Sequence, residues 1–366
     1  MPESLVSKKL SEQTNEFFDV VFTTNREKDL KYLAVAGRSL LQNCSQPERV
    51  RFHILYTLLD EAQIQRINDS WKDLASSVNF YSIENRLGEL ARDPGYGYWY
   101  RIYLGDVLPS SISKALYLDT DVVVHGDIAE LWNLQLDGKV AGVVWDPGYR
   151  YFGIAEQLQT QARKNALNFP GEGPYFNTGF LLIDLRLWRS RDIPGQVEQH
   201  FGDRHQDSVL HDQDELNIIL QGQVLALSPT WNLIEPIALI ENWDFDIYRD
   251  LADPKTYFTP KIRHFSGASK ADSALVRSTE KANFYRFLDK TDWAGWRSVS
   301  DSKWWAKPLS EMVELHYILV RGLRQRVMTC PLARLRKHLQ RAPYTALLYL
   351  GLPLYRLYRK IRDHFP

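Results

Sequence analysis

The chain of 366 residues is short of several things, and each shortage narrows what it can be. It has only two cysteines, Cys44 and Cys330, far apart and in no metal-ligand spacing. That excludes a disulfide framework or a zinc knuckle, and a reducing compartment suits such a sequence. The apolar stretch Pro343 to Tyr355 is too short to span a bilayer and is broken by Gly351 and Pro353. The polar, mixed-charge segment Met1 to Glu16 lacks the apolar centre of a signal peptide, so no secretion is expected. Net charge is also missing, with 45 basic and 45 acidic residues.

That zero hides an asymmetry. Residues 321–366 carry 11 Arg or Lys against one acid, Asp363, while the other residues carry 34 bases against 44 acids. Val320, Leu323 and Val327, then Leu332, Leu335 and Leu339, form helical apolar stripes with Arg on the other faces. A basic amphipathic tail on an acidic body, with no nucleic-acid motif, points to an anionic membrane surface rather than to DNA or RNA. The expected location is the inner face of the cytoplasmic membrane. Packing of the tail on the acidic body is the alternative.

What the chain has in quantity is aromatic residues and alternating apolar segments. Its 11 Trp and 19 Tyr suit sugar faces, although most such residues fill cores. Strand-like runs cover Phe17 to Thr24, Val50 to Thr57, Val78 to Ile83, Lys114 to Val124, Val140 to Trp145 and Gly179 to Leu185. Helical segments lie between the first of these, at about Lys28 to Cys44 and at Asp60 to Trp71 with Asp60 as its cap. Such alternation predicts an α/β layer fold with a mainly parallel sheet, whose ligands bind at the carboxyl ends of the strands. A boundary near residues 290–310 divides a catalytic unit, 1–290, from a linker and basic tail, 291–366.

Asp119-Thr120-Asp121 follows an apolar run, Ala115 to Leu118, and precedes another, Val122 to Val124. Two carboxylates so placed can reach one hard divalent cation, and burying them without one is costly. Asp212-Gln213-Asp214 and Asp244-Phe245-Asp246 share the spacing but lack that setting. His264 can complete a carboxylate metal site, Gly267 lets backbone approach a phosphate, and Lys270 supplies a point charge. Asn177, Asp212 and Gln213 are groups that hold sugar hydroxyls. Taken singly, Asp212 reads as a helix cap, Asn177-Thr178-Gly179 as a turn and His264 as structural.

Their order changes that reading. Asp-Thr-Asp, then Phe-Asn-Thr-Gly before Leu-Leu-Ile-Asp-Leu, then Asp-Gln-Asp-x-Leu-Asn, then His-Phe-x-Gly-x-x-Lys occur in register from about Val20 to Lys270. The chain resembles glycosyltransferase family 8, which includes bacterial lipopolysaccharide α-galactosyl- and α-glucosyltransferases and, more distantly, glycogenin. The resemblance implies a GT-A fold with one mixed central sheet. It also implies retaining transfer of a hexose, galactose or glucose, from a UDP-sugar to a glycan or lipid-linked acceptor such as lipopolysaccharide core.

Residue by residue, the resemblance implies Asp119, Asp121 and His264 as ligands of manganese or magnesium. Gly267, Lys270 and the Asp119-Thr120-Asp121 stretch meet the donor diphosphate. Arg101 touches the donor, and Thr23, Thr24 and Asn25 grip the uridine. Asp146, Asn177, Asp212 and Gln213 line the sugar pocket as the catalytic groups. Two positions depart from the family pattern: Asn25-Arg26, where an acid is usual, and Ala271-Asp272, where Pro-Trp is usual. Two other readings compete with this one. A nucleotidyltransferase usually has a Gly-rich loop after the first strand, whereas here there is no glycine before Gly37. A non-catalytic sugar-nucleotide or glycan scaffold has no need for all three metal ligands.

Overall fold

The computed structural model describes residues 17–84, 97–146, 175–204, 211–234, 259–266, 270–273, 276–304, 306–315 and 318. Gly267 and the basic tail, 321–366, lie outside the described residues.

Strand β1 (Phe18–Thr24) is buried at nearly every position because both its faces are covered. It pairs in parallel with β2 (Val50–Tyr56), which pairs in parallel with β3 (Ser77–Ser82). Helix α1 (Leu30–Asn43) connects β1 to β2 and is buried along most of its length. Its Gly37 faces Trp71, where an added Cβ would stand 2.3 Å from the indole ring. The same indole donates to the Ala34 carbonyl at 3.0 Å, closing α1 onto α2 (Glu61–Trp71). Asp60 does cap α2, in a full capping box: it accepts from Gln63 N–H, and the Gln63 side chain accepts from Asp60 N–H.

On the other side of β1 lies β4 (Lys114–Leu118), again parallel. The remaining neighbours are β7 (Phe176–Asp184), β6 (Ala141–Trp145) and β8 (Val224–Ala226), giving the order β3-β2-β1-β4-β7-β6-β8. Because β7 runs antiparallel to both β4 and β6, the sheet is mixed. Apolar alternation alone predicts a mainly parallel sheet. It cannot register the reversal, because a strand buried on both faces reads alike in either direction.

The run Lys114 to Val124 is not one strand. It breaks at Asp119-Thr120-Asp121, and β5 (Val122–Val124) joins a second sheet with β9 (Leu233–Ile234) and β10 (Ile262–His264), in the order β5-β10-β9. The polar triplet therefore lies where the chain passes from one sheet to the other, at the carboxyl ends of β1 and β4. Helix α3 (Leu185–Ser190) follows β7 directly, α4 (Asp212–Ile219) packs on β7, and α5 (Ser278–Leu288) packs on α1. Residues 291–315 contact this unit too: Asp292 pairs with Arg66, Asp301 with Lys281, and Ser310 donates to the Val276 carbonyl. Among the described residues, no helix is long and apolar enough to cross a membrane.

Candidate functional site

Leaving the ladder after Leu118 sets the two carboxylates side by side. Asp119 N–H still donates to the Gly179 carbonyl on β7 at 2.9 Å, and Asp121 C=O accepts from Phe265 N–H at 2.8 Å. Since β10 runs antiparallel to β5 with His264 opposite Val122, the imidazole arrives beside Asp121. His264 Nε2 lies 3.2 Å from Asp121 and 3.6 Å from Asp119. One ligand atom from each of Asp119, Asp121 and His264 falls within 4.8 Å of the others. A Cβ at position 179 would stand 2.4 Å from the His264 ring and 2.6 Å from an Asp119 oxygen, so only glycine lets this cluster close. Two carboxylates and an imidazole suit a divalent cation such as manganese or magnesium, and the residues fit one.

Charge at the cluster is strongly coupled. Burial pushes the Asp121 carboxyl up, but His264 and Lys270 more than reverse this and hold it well below the usual range. Lys270 sits directly on Asp121. Burial opposes charge on His264, yet Asp121 and Asp119 raise its pKa above the ordinary value. A cation entering here would displace the proton and the ammonium contact.

The residues expected to line a sugar pocket are organised by an irregularity in the sheet. On β7, Leu181 pairs with Val143 of β6, but the next β6 residue, Val144, pairs with Asn177. Thr178, Gly179 and Phe180 are skipped on that side, and a skipped N–H must find another acceptor. Thr178 N–H donates to Gln213 Oε1 at 3.2 Å, and Gly179 N–H donates to Asn177 Oδ1 at 3.0 Å. With both oxygens fixed by backbone donors, the amide nitrogens face the other way. Asn177 Nδ2 reaches Asp146 at 3.2 Å and Gln213 Oε1 at 3.0 Å, and Gln213 Nε2 reaches Asp146 at 3.1 Å. Helix α4 is held to the same strand by Asn217, whose amide donates to Phe176 C=O and accepts from Phe176 N–H, each at 2.8 Å. Asp214 accepts from Tyr175 Oη at 2.8 Å.

Asp212 is not a helix cap. His211, at φ 49°, occupies that position, and the Asp212 carboxylate turns inward to accept from Thr178 Oγ1 at 3.1 Å and to pair with Arg101 at 3.1 Å. Arg101 comes from the short 3-10 helix Gly97–Tyr103. Its guanidinium also pairs with Asp119 at 3.0 Å, donates to Thr178 C=O at 2.7 Å and lies over the Tyr117 ring. Burial, helped by Asp119 and resisted by Arg101, raises the Asp212 pKa to about 7.

Asp119, Asp121, His264, Arg101, Lys270, Asp146, Asn177, Asp212 and Gln213 therefore form one connected site. Thr120 is half-buried between Asp119 and Asp121. Thr23 reaches the site through Tyr117: its hydroxyl lies 3.1 Å from Tyr117 Oη, which donates to Asp119 at 2.7 Å. Thr24 is buried at the end of β1, and its hydroxyl has no partner among the described residues. Asn25 packs against Gly97, the first residue of the Arg101 helix. At the departing pair, Ala271 is buried and the Asp272 carboxylate accepts from Tyr32 Oη of α1 at 2.6 Å, tying down the segment after Lys270. Sequence reading missed Tyr117, Thr178, Asn217 and Asn232. Tyr117, Thr178 and Asn217 lie inside or next to the motifs, so the signal was there. Asn232 stands outside them, and only contact reveals it.

The description "Glycosyl transferase family 8" belongs to the family model that matches residues 14–271. General stress protein A of Bacillus subtilis is 27% identical over 262 residues, covering 70% of this chain and 87% of that protein. Lipopolysaccharide 1,2-glucosyltransferase of Escherichia coli is 29% identical over 173 residues, 47% of this chain and 48% of that one. "Probable galacturonosyltransferase-like 3" of Arabidopsis thaliana is 29% identical over 214 residues, 54% and 61% of the two chains. Among solved structures, the galactosyltransferase LgtC, in complex with donor and acceptor sugar analogs, superposes with a TM-score of 0.59. That match is 22% identical and covers 75% of this chain and 96% of the other. This likeness is one of fold, the GT-A type.

Proposed function

The chain belongs to glycosyl transferase family 8, and from that premise we propose a metal-dependent, retaining hexosyltransferase that uses a UDP-sugar and a glycan or lipid-linked acceptor. The observation that carries the reading is the convergence of Asp119, Asp121 and His264 beside Lys270, with the polar Asp146–Asn177–Gln213 group on the adjoining strand. When bound there, a divalent cation would neutralise charge on the leaving diphosphate. Lys270 and the backbone at Gly267 would hold the phosphates, and Arg101 would orient Asp119 toward them. Thr23, Thr24 and Asn25 would take the uridine.

Asp146, Asn177, Asp212 and Gln213 would line the sugar pocket, with Gln213 at the reactive face. In this structure, two donors already occupy Gln213 Oε1, so an incoming sugar must compete for it. An amide is a poor nucleophile, which favours front-face attack by the acceptor with Asp212 and Gln213 supporting a cation-like sugar. Trapping a covalent glycosyl adduct on Asp212 would overturn that step.

The hexose is galactose or glucose in this reading, and the acceptor is of the lipopolysaccharide-core kind. It keeps residues 1–290 as the catalytic unit and gives 291–366 the membrane-associating role. Each base of 321–366 near an anionic leaflet contributes at most about 1 kcal/mol, so partial engagement gives peripheral binding. One experiment tests the core of the proposal: UDP release from a panel of UDP-sugars, with manganese, without it and in chelator. Release that needs manganese and one hexose supports it. Full release in excess chelator, or none from any donor, sinks it. Loss of vesicle binding on deleting 321–366, with UDP release kept, would support the membrane role.

A further inference from the structure

Asn232 lies outside every motif, yet it sits between two halves of the site. It precedes β9, is 2% exposed, and touches both His264 of the metal cluster and Asn177 of the sugar pocket. The identity of each atom along this path follows from the backbone. Gly179 N–H can only donate, so it meets Asn177 through Oδ1. That oxygen also receives Asn232 at 2.9 Å, so the Asn232 atom there is Nδ2. Asn232 Oδ1 must then face His264 Nδ1, 3.0 Å away. An oxygen at that place requires a proton on Nδ1, and a neutral imidazole so protonated keeps its lone pair on Nε2. Nε2 is the atom turned toward Asp119 and Asp121.

We infer that Asn232 is a positioning residue with two separable duties. Its oxygen holds His264 in the metal-binding tautomer. Its N–H₂ group orients Asn177, and through Asn177 the pairing of Asp146 with Gln213. One buried side chain thus sets the cation pocket and the sugar pocket together. The first duty rests on the metal-dependent reading above. Outer partners that orient a ligating histidine typically govern metal affinity by about ten- to a hundredfold.

The test uses the full chain, with free Mn2+ counted by its electron paramagnetic resonance signal in the absence of any sugar nucleotide. UDP release and melting temperature are measured alongside. Asn232→Ala removes both duties and should weaken Mn2+ binding about tenfold or more while lowering kcat. Asn232→Asp keeps an acceptor for His264 but cannot donate to Asn177. It should bind Mn2+ at least as well as wild type, yet lose about tenfold in kcat. Asp121→Ala is the control that abolishes Mn2+ binding. If Asn232→Ala lowered only the melting temperature, leaving Mn2+ affinity and kcat unchanged, the inference would fail. It would fail equally if Asn232→Asp lost Mn2+ as severely as Asn232→Ala. Wild type that bound no Mn2+, with Asp121→Ala no different, would instead strike the metal reading and the first duty with it. The second duty would still stand or fall on the kcat of Asn232→Asp.

Discussion

Two of the buried ionic clusters among the described residues are held in different ways. In one, Glu280 of α5 meets Arg263 at 3.0 Å, Arg277 at 2.9 Å and His125 at 3.6 Å, while Arg277 also approaches Glu314. Burial disfavours the Glu280 charge, but His125, Arg263 and Arg277 overcome that and hold its carboxyl down at about 2. Two arginines answer two glutamates there. In the other cluster, Asp119, Asp121 and Asp212 are answered by Arg101, Lys270 and His264, and Arg101 is shared between two of the acids. Burial, with Asp119 nearby and against Arg101, raises the Asp212 pKa there to about 7. A balanced cluster closes on itself and serves the fold. The second converges two acids and an imidazole on one point, where we propose that a cation binds.

The largest expected effect separates the two clusters outright. Asp121→Asn should lower metal-stimulated UDP release about a thousandfold, as expected when several kcal/mol of charge stabilisation are lost. Its melting temperature should stay near that of wild type. Glu280→Gln should do the reverse, costing about 3 kcal/mol in urea unfolding because two buried guanidiniums lose their partner, with kcat of the folded protein unchanged. Similar destabilisation from both variants would break the comparison.

A second pair of outcomes sharpens it by pH. Glu280 has a folded pKa below its ordinary 4.5, so its stabilisation is present above about 4.5 and is lost as pH falls toward 2. Asp212 has a folded pKa above its ordinary 3.8, so the native state keeps that proton longer than the unfolded chain does. Its contribution therefore turns against stability as pH rises from about 4 through about 7. Urea titrations of metal-free protein should show Glu280→Gln losing the acid limb and Asp212→Asn losing the neutral one. If ionised Asp212 supports transfer, Asp212→Asn should lower kcat.

The smallest effects concern Lys270. Lys270→Ala should raise KM for the donor about tenfold with kcat less affected, since an ammonium on phosphate acts in the ground state as well. Tyr32→Phe, which removes the hydroxyl from buried Asp272, should cost about 1 to 2 kcal/mol in stability and raise the donor KM only a few-fold. A Tyr32→Phe variant with the KM defect of Lys270→Ala would mean that the tie to α1, rather than the charge, governs the phosphate contact.

How far the sequence could be read follows from where its information is local. Apolar runs located β1, β2 and the capped α2, because burial of both strand faces and a capping box are properties of consecutive residues. The break within Lys114 to Val124 was visible as three polar residues, but not that the chain changes sheets there. Asp119, Asp121 and His264 were legible by type, order and resemblance. Reading Asp212 as a helix cap fails singly because a cap is a local role, whereas Asp212 is satisfied by Arg101 from a distant 3-10 helix.

The sequence by itself determined which chemical groups are present, their order, and the family they belong to. Tertiary structure alone decided how those groups are shared: Lys270 with Asp121 across 149 positions, Asn232 with Asn177 across 55, and one guanidinium between Asp119 and Asp212. The reason is physical. Hydrogen-bond direction, tautomer and charge balance depend on which donors reach which acceptors, and here a skipped stretch of β7 frees the two backbone N–H groups that orient the rest.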